Sequence, residues 1–101
     1  MLLDKGADVN AKGGYYGNAL QAASYRGNET IVQLLLDNHA DVNAEGGKYG
    51  NALQAASSEG NEAIVQLLLN NHADVNAEGG EYGNALQAAS SKGNEAIVQL
   101  L

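Results

Sequence analysis

A stretch of twelve residues occurs three times along this chain of 101 residues, at a constant spacing. It reads GGYYGNALQAAS at 13–24, GGKYGNALQAAS at 46–57 and GGEYGNALQAAS at 79–90. Gly17, Gly50 and Gly83 are therefore 33 residues apart. A fixed period between about 20 and 50 residues is typical of proteins built from stacked structural repeats. The period predicts an array of units that stabilise one another by contact between neighbours.

The repeats follow one another without a linker or a change in composition. Residues 18–50 and 51–83 differ at five positions, and 84–101 repeat 51–68 with one change, Glu59 to Lys92. We therefore expect one domain over residues 1–101. It comprises the end of a partial repeat with its loop (1–17), complete repeats at 18–50 and 51–83, and a partial C-terminal repeat at 84–101.

Each unit has the pattern of two short helices joined by a tight turn. Asn51 is a favoured N-cap, and Gln54 stands three residues later, where it could reach back as in a capping box. Gly60 can adopt the positive φ that ends a helix, and Asn61 then caps a second helix. The apolar residues within 64–68 form a stripe for packing on one face of that helix.

These motifs resemble those of the ankyrin repeat family. The segments NALQAAS, Gly60, EAIVQLLL and HADVNA resemble, in order, that family's first helix, glycine turn, second helix and hairpin loop, and GADVNA occurs at 6–11. The NALQ and GGxYG variants are similar to repeats of long fungal ankyrin arrays. The resemblance covers the whole chain and implies an all-α fold, an ankyrin-repeat solenoid of stacked helix-turn-helix units joined by hairpin-like loops.

Two departures from the family pattern concern the loops. His39 and His72 replace the glycine before ADVN. If that position keeps a left-handed backbone, a histidine there costs about 1 kcal/mol relative to glycine. The family's loop glycine is replaced by a tyrosine in each unit, so we expect hairpin tips of a different shape.

Charge and composition exclude several classes of function. Twelve acidic residues against five basic ones give a net charge of −7, which opposes binding to nucleic acid or to anionic membranes. The absence of cysteine excludes disulfides and thiolate chemistry and fits a reducing compartment, so we expect a cytoplasmic protein. The longest apolar run, Leu34–Leu36, is too short to span a membrane.

The sequence contains no arrangement that favours catalysis. His39 and His72 are one period apart, and stacked helices are separated by roughly 8–10 Å, too far for one metal ion. The serines lack the glycine-flanked pattern of a hydrolase nucleophile, and GGYYG lacks the Gly-Lys-Ser/Thr ending of a phosphate-binding loop. We expect no enzyme activity, cofactor or metal.

Tyr16, Tyr49 and Tyr82 recur at equivalent positions and allow two interpretations. They could form an aromatic ladder that contacts a partner, or each ring could pack across its hairpin onto the next unit. A residue repeated identically in every unit favours packing.

The positions that vary between units are the candidates for partner binding. Packing positions must repeat because each meets the same neighbour, whereas exposed positions are free to differ. The ankyrin resemblance implies that variable loop-tip and first-helix positions line a concave binding face. Neutral variation of the surface is the alternative. The candidate residues are Lys12, Tyr15, Tyr25, Arg26, Glu45, Lys48, Ser58, Glu59, Glu78, Glu81, Ser91 and Lys92.

The sequence thus predicts a non-catalytic protein–protein interaction module whose partner is another protein. The alternative is a structural spacer within a longer array, with no dedicated partner on this segment. Both ends are as apolar as the internal repeats, which predicts end-to-end self-association through uncapped terminal repeats.

Overall fold

The computed structural model describes residues 6–101, and within that range the chain forms six α-helices. They are α1 (Ala19–Arg26), α2 (Glu29–Asp37), α3 (Ala52–Glu59), α4 (Glu62–Asn70), α5 (Ala85–Ser91) and α6 (Glu95–Leu100). Each first helix pairs with the helix that follows it. α1, α3 and α5 pack in one layer, and α2, α4 and α6 pack in a second. The predicted all-α stack is confirmed, while the first five residues of the predicted unit 1–17 lie outside the described residues.

Asparagine side chains begin the helices, as the sequence predicts. The Asn51 carboxamide oxygen accepts a hydrogen bond from the Gln54 backbone N–H at 2.9 Å, and that of Asn61 accepts from the Ile64 N–H at 3.0 Å. Gly60 ends α3 with φ of 72°. These local hydrogen bonds satisfy backbone groups that a helix end leaves free, so helices of eight or nine residues can form.

The predicted capping box at Gln54 is wrong. The Gln54 side chain is fully buried, and its Nε2 donates to the Ala77 carbonyl at 3.5 Å. The equivalent Gln21 Nε2 donates to the Gly46 carbonyl at 2.8 Å. Both glutamines therefore reach forward to the loop that follows their own helix pair and hold that loop against the first helix.

The predicted apolar stripe forms the core between the two layers. Ile64, Val65 and Leu68 of α4 have no exposed surface, and Leu53 of α3 is 2% exposed. Burying a leucine or isoleucine side chain contributes about 1.5–3 kcal/mol. Because each helix pair is too short to be stable alone, this shared core holds the units together.

The glycine-rich loops form narrow hairpins that contact one another. In the middle hairpin, the Gly46 N–H donates to the Gly50 carbonyl at 3.0 Å. The Lys48 N–H donates to the Tyr15 carbonyl at 2.9 Å, and the Glu81 N–H donates to the Lys48 carbonyl at 2.8 Å. The three hairpin tips are thus joined in a row by backbone hydrogen bonds.

The ADVN motif provides a second connection between units. His72 adopts φ of 70°, which confirms a left-handed backbone at this position, and His39 does the same with φ of 69°. The Asn43 Nδ2 donates to the His72 carbonyl at 3.1 Å, and the Asn43 Oδ1 accepts from the Asp74 N–H at 2.7 Å. One asparagine side chain therefore bridges each loop to the next.

Candidate protein-binding surface

The variable residues of the hairpin tips lie side by side. The backbone hydrogen bonds between hairpins place Tyr15, Lys48 and Glu81 in one row, and all three side chains are exposed. The second variable loop position, three residues before each of these, is also exposed in every unit. Its residues are Lys12, Glu45 and Glu78. The loop tips therefore present two short rows of side chains: the charge changes at each unit in the row of Tyr15, and in the row of Lys12 it changes once, from lysine to two glutamates.

The ends of the first helices add a third exposed row. Arg26 is the last residue of α1, Glu59 is the last residue of α3, and Lys92 directly follows α5. All three are exposed, so the charge alternates in sign along the stack. Alternating charge at fixed spacing favours a partner with the complementary order of charges.

Ser58 does not have the exposure that its variation between units predicts. It is 4% exposed, and its hydroxyl donates to the Ala55 carbonyl at 2.9 Å. All of residues 52–58 are buried because α1 and α5 pack on opposite sides of α3. Ser91 occupies the same position and is exposed, since α5 packs against a first-layer helix on one side. The middle first helix thus presents Glu59 and not Ser58.

Four tyrosines form a closed group, here called the aromatic cluster: Tyr15, Tyr16, Tyr25 and Tyr49. The Tyr25 and Tyr49 rings stack, with centroids 4.7 Å apart and an angle of 21° between their planes. Tyr16 lies 5.5 Å from Tyr25. Tyr15 meets Tyr16 edge to face at 5.2 Å and Tyr49 at 6.2 Å. Contacts of this kind contribute about 0.5–1.5 kcal/mol each beyond burial.

The cluster joins repeated and variable residues. Tyr49 is 5% exposed, in agreement with packing as the role of the repeated tyrosines, whereas the variable Tyr15 is 55% exposed and Tyr25 is half-buried. Comparison of the units does not reveal that the repeated Tyr16 and Tyr49 pack against the variable rings. Those rings are Tyr15 and Tyr25. The adjacent tyrosines at 15–16 are the signal that could have indicated it.

The Lys48 ammonium sits beside two of these rings. Its Nζ is 5.4 Å from the Tyr15 centroid, 5.7 Å from the Tyr49 centroid and 3.8 Å from Glu81 Oε2. The Lys48 ammonium lowers the pKa of Tyr15, and the Tyr15 hydroxyl beside it raises the pKa of Lys48, which therefore stays charged. Burial raises the pKa of Tyr49. The site thus places a charged ammonium over the Tyr15 and Tyr49 rings.

A second pair of the same kind lies one unit further along. The Lys92 Nζ is 5.9 Å from the centroid of Tyr82, which is half-buried. Within the part of the chain that the structure describes, no group of three histidine, cysteine or carboxylate side chains is placed to hold a metal ion. No helix over residues 6–101 has the length and apolar character needed to cross a bilayer.

The chain belongs to the ankyrin repeat family. The family model described as ankyrin repeats (3 copies) matches residues 1–79 and again residues 20–101, so that together the matches include every residue. No curated protein matches the sequence. The paired helices and hairpin loops agree with the family assignment, and ankyrin repeats generally serve as protein–protein interaction modules.

Proposed function

We propose that this chain is a non-catalytic protein–protein interaction module that binds its partner with the hairpin tips and the ends of the first helices. The observation that supports this most is the aromatic cluster, which holds the exposed Tyr15 ring among three other tyrosines. Tyrosine and arginine are enriched among residues that dominate binding energy. A structural spacer needs only the packing contacts between units and does not need exposed tyrosine and arginine side chains on this surface.

The proposed binding surface consists of side chains that vary between units, carried by hairpins whose backbone is the same in every unit. The hairpins repeat the same backbone hydrogen bonds, while Tyr15, Lys48 and Glu81 replace one another at the tips. Such a surface changes its chemistry without a change in backbone shape. We expect the partner to be a protein in the cytoplasm.

The proposal is tested by photo-crosslinking at defined positions. A benzophenone amino acid is introduced at Tyr15, at Lys92 or, as a control, at Gln66, which is exposed on the second-helix layer. After irradiation in cell extract, we expect discrete crosslinked bands from the positions of Tyr15 and Lys92 and none from that of Gln66. The bands are detected by gel electrophoresis and identified by mass spectrometry.

Crosslinks from the Gln66 position alone would move the binding surface to the other layer and contradict the proposal. The structural spacer is the second candidate, and it predicts no discrete band from any position. It also predicts that exchanging the variable residues among units, while the repeated residues are kept, leaves the behaviour of the whole protein unchanged.

We also propose that copies of this chain associate end to end. Leu86 of α5 is 48% exposed, although the equivalent Leu53 is 2% exposed, and Leu100 of α6, in the same terminal unit, is 37% exposed. Burying the exposed half of Leu86 against another copy would contribute about 0.7–1.5 kcal/mol, or roughly three- to tenfold in affinity.

Light scattering should show a mean mass that rises with protein concentration, and Leu86→Gln should shift that rise to about three- to tenfold higher concentration. Ile31, at 39% exposure on the opposite terminal helix pair, belongs to the other end of the stack, so Ile31→Gln should also raise that concentration. The control is Ala63→Gln, at an exposed position of the middle helix pair, which should leave it unchanged. A wild-type protein that stays monomeric up to millimolar concentration would refute end-to-end association.

A further inference from the structure

We infer that the surface around Tyr15 and Glu81 binds a positively charged segment of a protein partner, with an arginine side chain lying over the Tyr15 ring. This inference rests on the proposed function and specifies the chemistry of the partner. It is carried by the position of a cation beside the rings, by the carboxylates around them and by the order of the Tyr15 side chain.

The rings already accept a positive charge at this place. The Lys48 Nζ lies 5.4 Å and 5.7 Å from the centroids of Tyr15 and Tyr49, inside the distance of about 6 Å at which a ring attracts a cation. The same pairing recurs between Lys92 and Tyr82 at 5.9 Å. Tyr15 still leaves 55% of its surface to solvent, so a second cation can reach it from outside.

Glu81 is available to a partner's guanidinium. Its Oε2 is 3.8 Å from the Lys48 Nζ, and the two side chains are 49% and 37% exposed. An ion pair of this length and exposure is weak. Arginine bonds a carboxylate with two parallel N–H groups and also stacks on aromatic rings, and lysine does neither as well. A guanidinium over Tyr15 can therefore replace Lys48 as the partner of Glu81.

Further carboxylates extend the acidic surface along the loops. Glu45 and Glu78 are both exposed, and the Glu45 Oε1 approaches the next hairpin at Gly79. Residues 51–83 carry a net charge of −5 and the whole chain −7. This charge attracts a basic segment over distances up to the Debye length and accelerates its association.

The Tyr15 ring is ordered before binding. The ring makes edge-to-face contacts with Tyr16 and Tyr49, at centroid distances of 5.2 Å and 6.2 Å. The Lys48 backbone N–H donates to the Tyr15 carbonyl at 2.9 Å and fixes the backbone there. Little side-chain entropy is lost when a partner binds such a ring. A proline-rich segment is the competing occupant, since it too packs on aromatic rings, but it makes no use of the charges that border Tyr15.

The test measures fluorescence anisotropy with labelled peptides and the full chain. The probes are a peptide of three arginines spaced by glycine and serine, the matching lysine peptide and a proline-rich peptide. We expect the arginine peptide to bind most tightly. Tyr15→Leu keeps the apolar area but removes the aromatic ring, and it should weaken arginine-peptide binding about 2–30-fold.

A charge control separates this site from general attraction to an acidic protein. At about 0.15 M salt, where the Debye length is about 8 Å, Glu81→Gln should weaken arginine-peptide binding about 3–10-fold. Glu62→Gln removes the same charge from an exposed position on the second-helix layer and should change the dissociation constant less than about 1.5-fold. Circular dichroism verifies that each variant is folded. Tyr15→Leu should fold because lysine and glutamate occupy the Tyr15 position in other units.

The inference is overturned if Tyr15→Leu binds the arginine peptide as the wild type does, if Glu81→Gln and Glu62→Gln weaken it equally, or if the proline-rich peptide binds more tightly. Crosslinks from the Tyr15 position to a partner, without arginine-peptide binding, would overturn the inference and leave the proposed function standing. If neither the photo-crosslinking nor the peptide-binding experiment gives the expected result, both the proposed function and this inference are overturned.

Discussion

Replacing Gly80 by alanine is expected to lower the free energy of unfolding by about 2–5 kcal/mol. Gly80 has φ of 68°, a conformation that costs an L residue roughly 1–2 kcal/mol. A Cβ atom there would also lie 2.5 Å from both the Gly50 nitrogen and the Tyr49 carbonyl carbon. Because these are backbone atoms, the hairpins must separate to admit the methyl group, which adds about 1–3 kcal/mol.

The close approach at Gly80 follows from the row of hairpins. The hydrogen bond from the Glu81 N–H to the Lys48 carbonyl, at 2.8 Å, draws one hairpin backbone against the next. Gly47 is placed in the same way, with a Cβ that would meet the Tyr16 carbonyl carbon at 2.6 Å. Gly47 and Gly80, the second glycines of their GG pairs, therefore allow the hairpin tips to stack.

Gly14 provides the matched control for this prediction. Its φ of 75° imposes the same strain, but a Cβ built on it meets no atom within 4 Å among the described residues. Gly14→Ala should cost only roughly 1–2 kcal/mol. Urea unfolding followed by circular dichroism compares the two variants, and equal losses would show that the contact between hairpins does not matter.

Those parts of the fold that depend on neighbouring residues along the chain could be predicted from the sequence. Asn51 and Asn61 cap their helices, and Gly60 ends α3 in a left-handed conformation, because each such choice is determined within one turn of the residue itself. The spacing of Ile64, Val65 and Leu68 likewise places them in the core. Because the sequence repeats every 33 residues, the same caps, turns and core positions are expected in every unit.

Other features depend on contacts between residues far apart in the chain and could not be predicted from the local sequence. Ser58 ends the segment 51–58, and Ser91 ends the segment 84–91 of identical sequence. Ser58 is nevertheless buried and Ser91 exposed. Gln54 reaches a loop 23 residues away and not its own helix end. For Ser58 the deciding contact comes from the first helices of neighbouring units, and for Gln54 it comes from the loop at the far end of its own unit.

The candidate site shows the same limit. Variation between units identified Tyr15, Tyr25 and Lys48 as candidates, but it did not show that Tyr25 stacks on Tyr49 or that Lys48 lies beside Tyr15. The position that holds the half-buried Tyr25 in one unit holds the buried Ser58 in the next. Variation alone therefore does not prove exposure.

Leu53→Ala is expected to lower the free energy of unfolding by about 3–5 kcal/mol. The Leu53 side chain is 2% exposed in the middle first helix, where α1 and α5 confine α3 on both sides and limit relaxation around a cavity. Truncating a confined core leucine costs about 2–5 kcal/mol. Since small domains are stable by about 5–15 kcal/mol, this loss should be plain in urea unfolding monitored by circular dichroism.

Leu86→Ala separates the effect of confinement from the effect of residue type. Leu86 occupies the same position as Leu53 in another copy of the NALQAAS motif, with the same helix position and cap, but 48% of its surface is exposed. Its truncation should cost less than about 1 kcal/mol when measured at a protein concentration low enough to keep the chain monomeric. If Leu86→Ala were as destabilising as Leu53→Ala, the stability of each unit would come from within its own helix pair. The smaller loss expected at Leu86 would instead show that a unit buries its leucine only through contact with the next unit, which is the property that makes the stack a single folded structure.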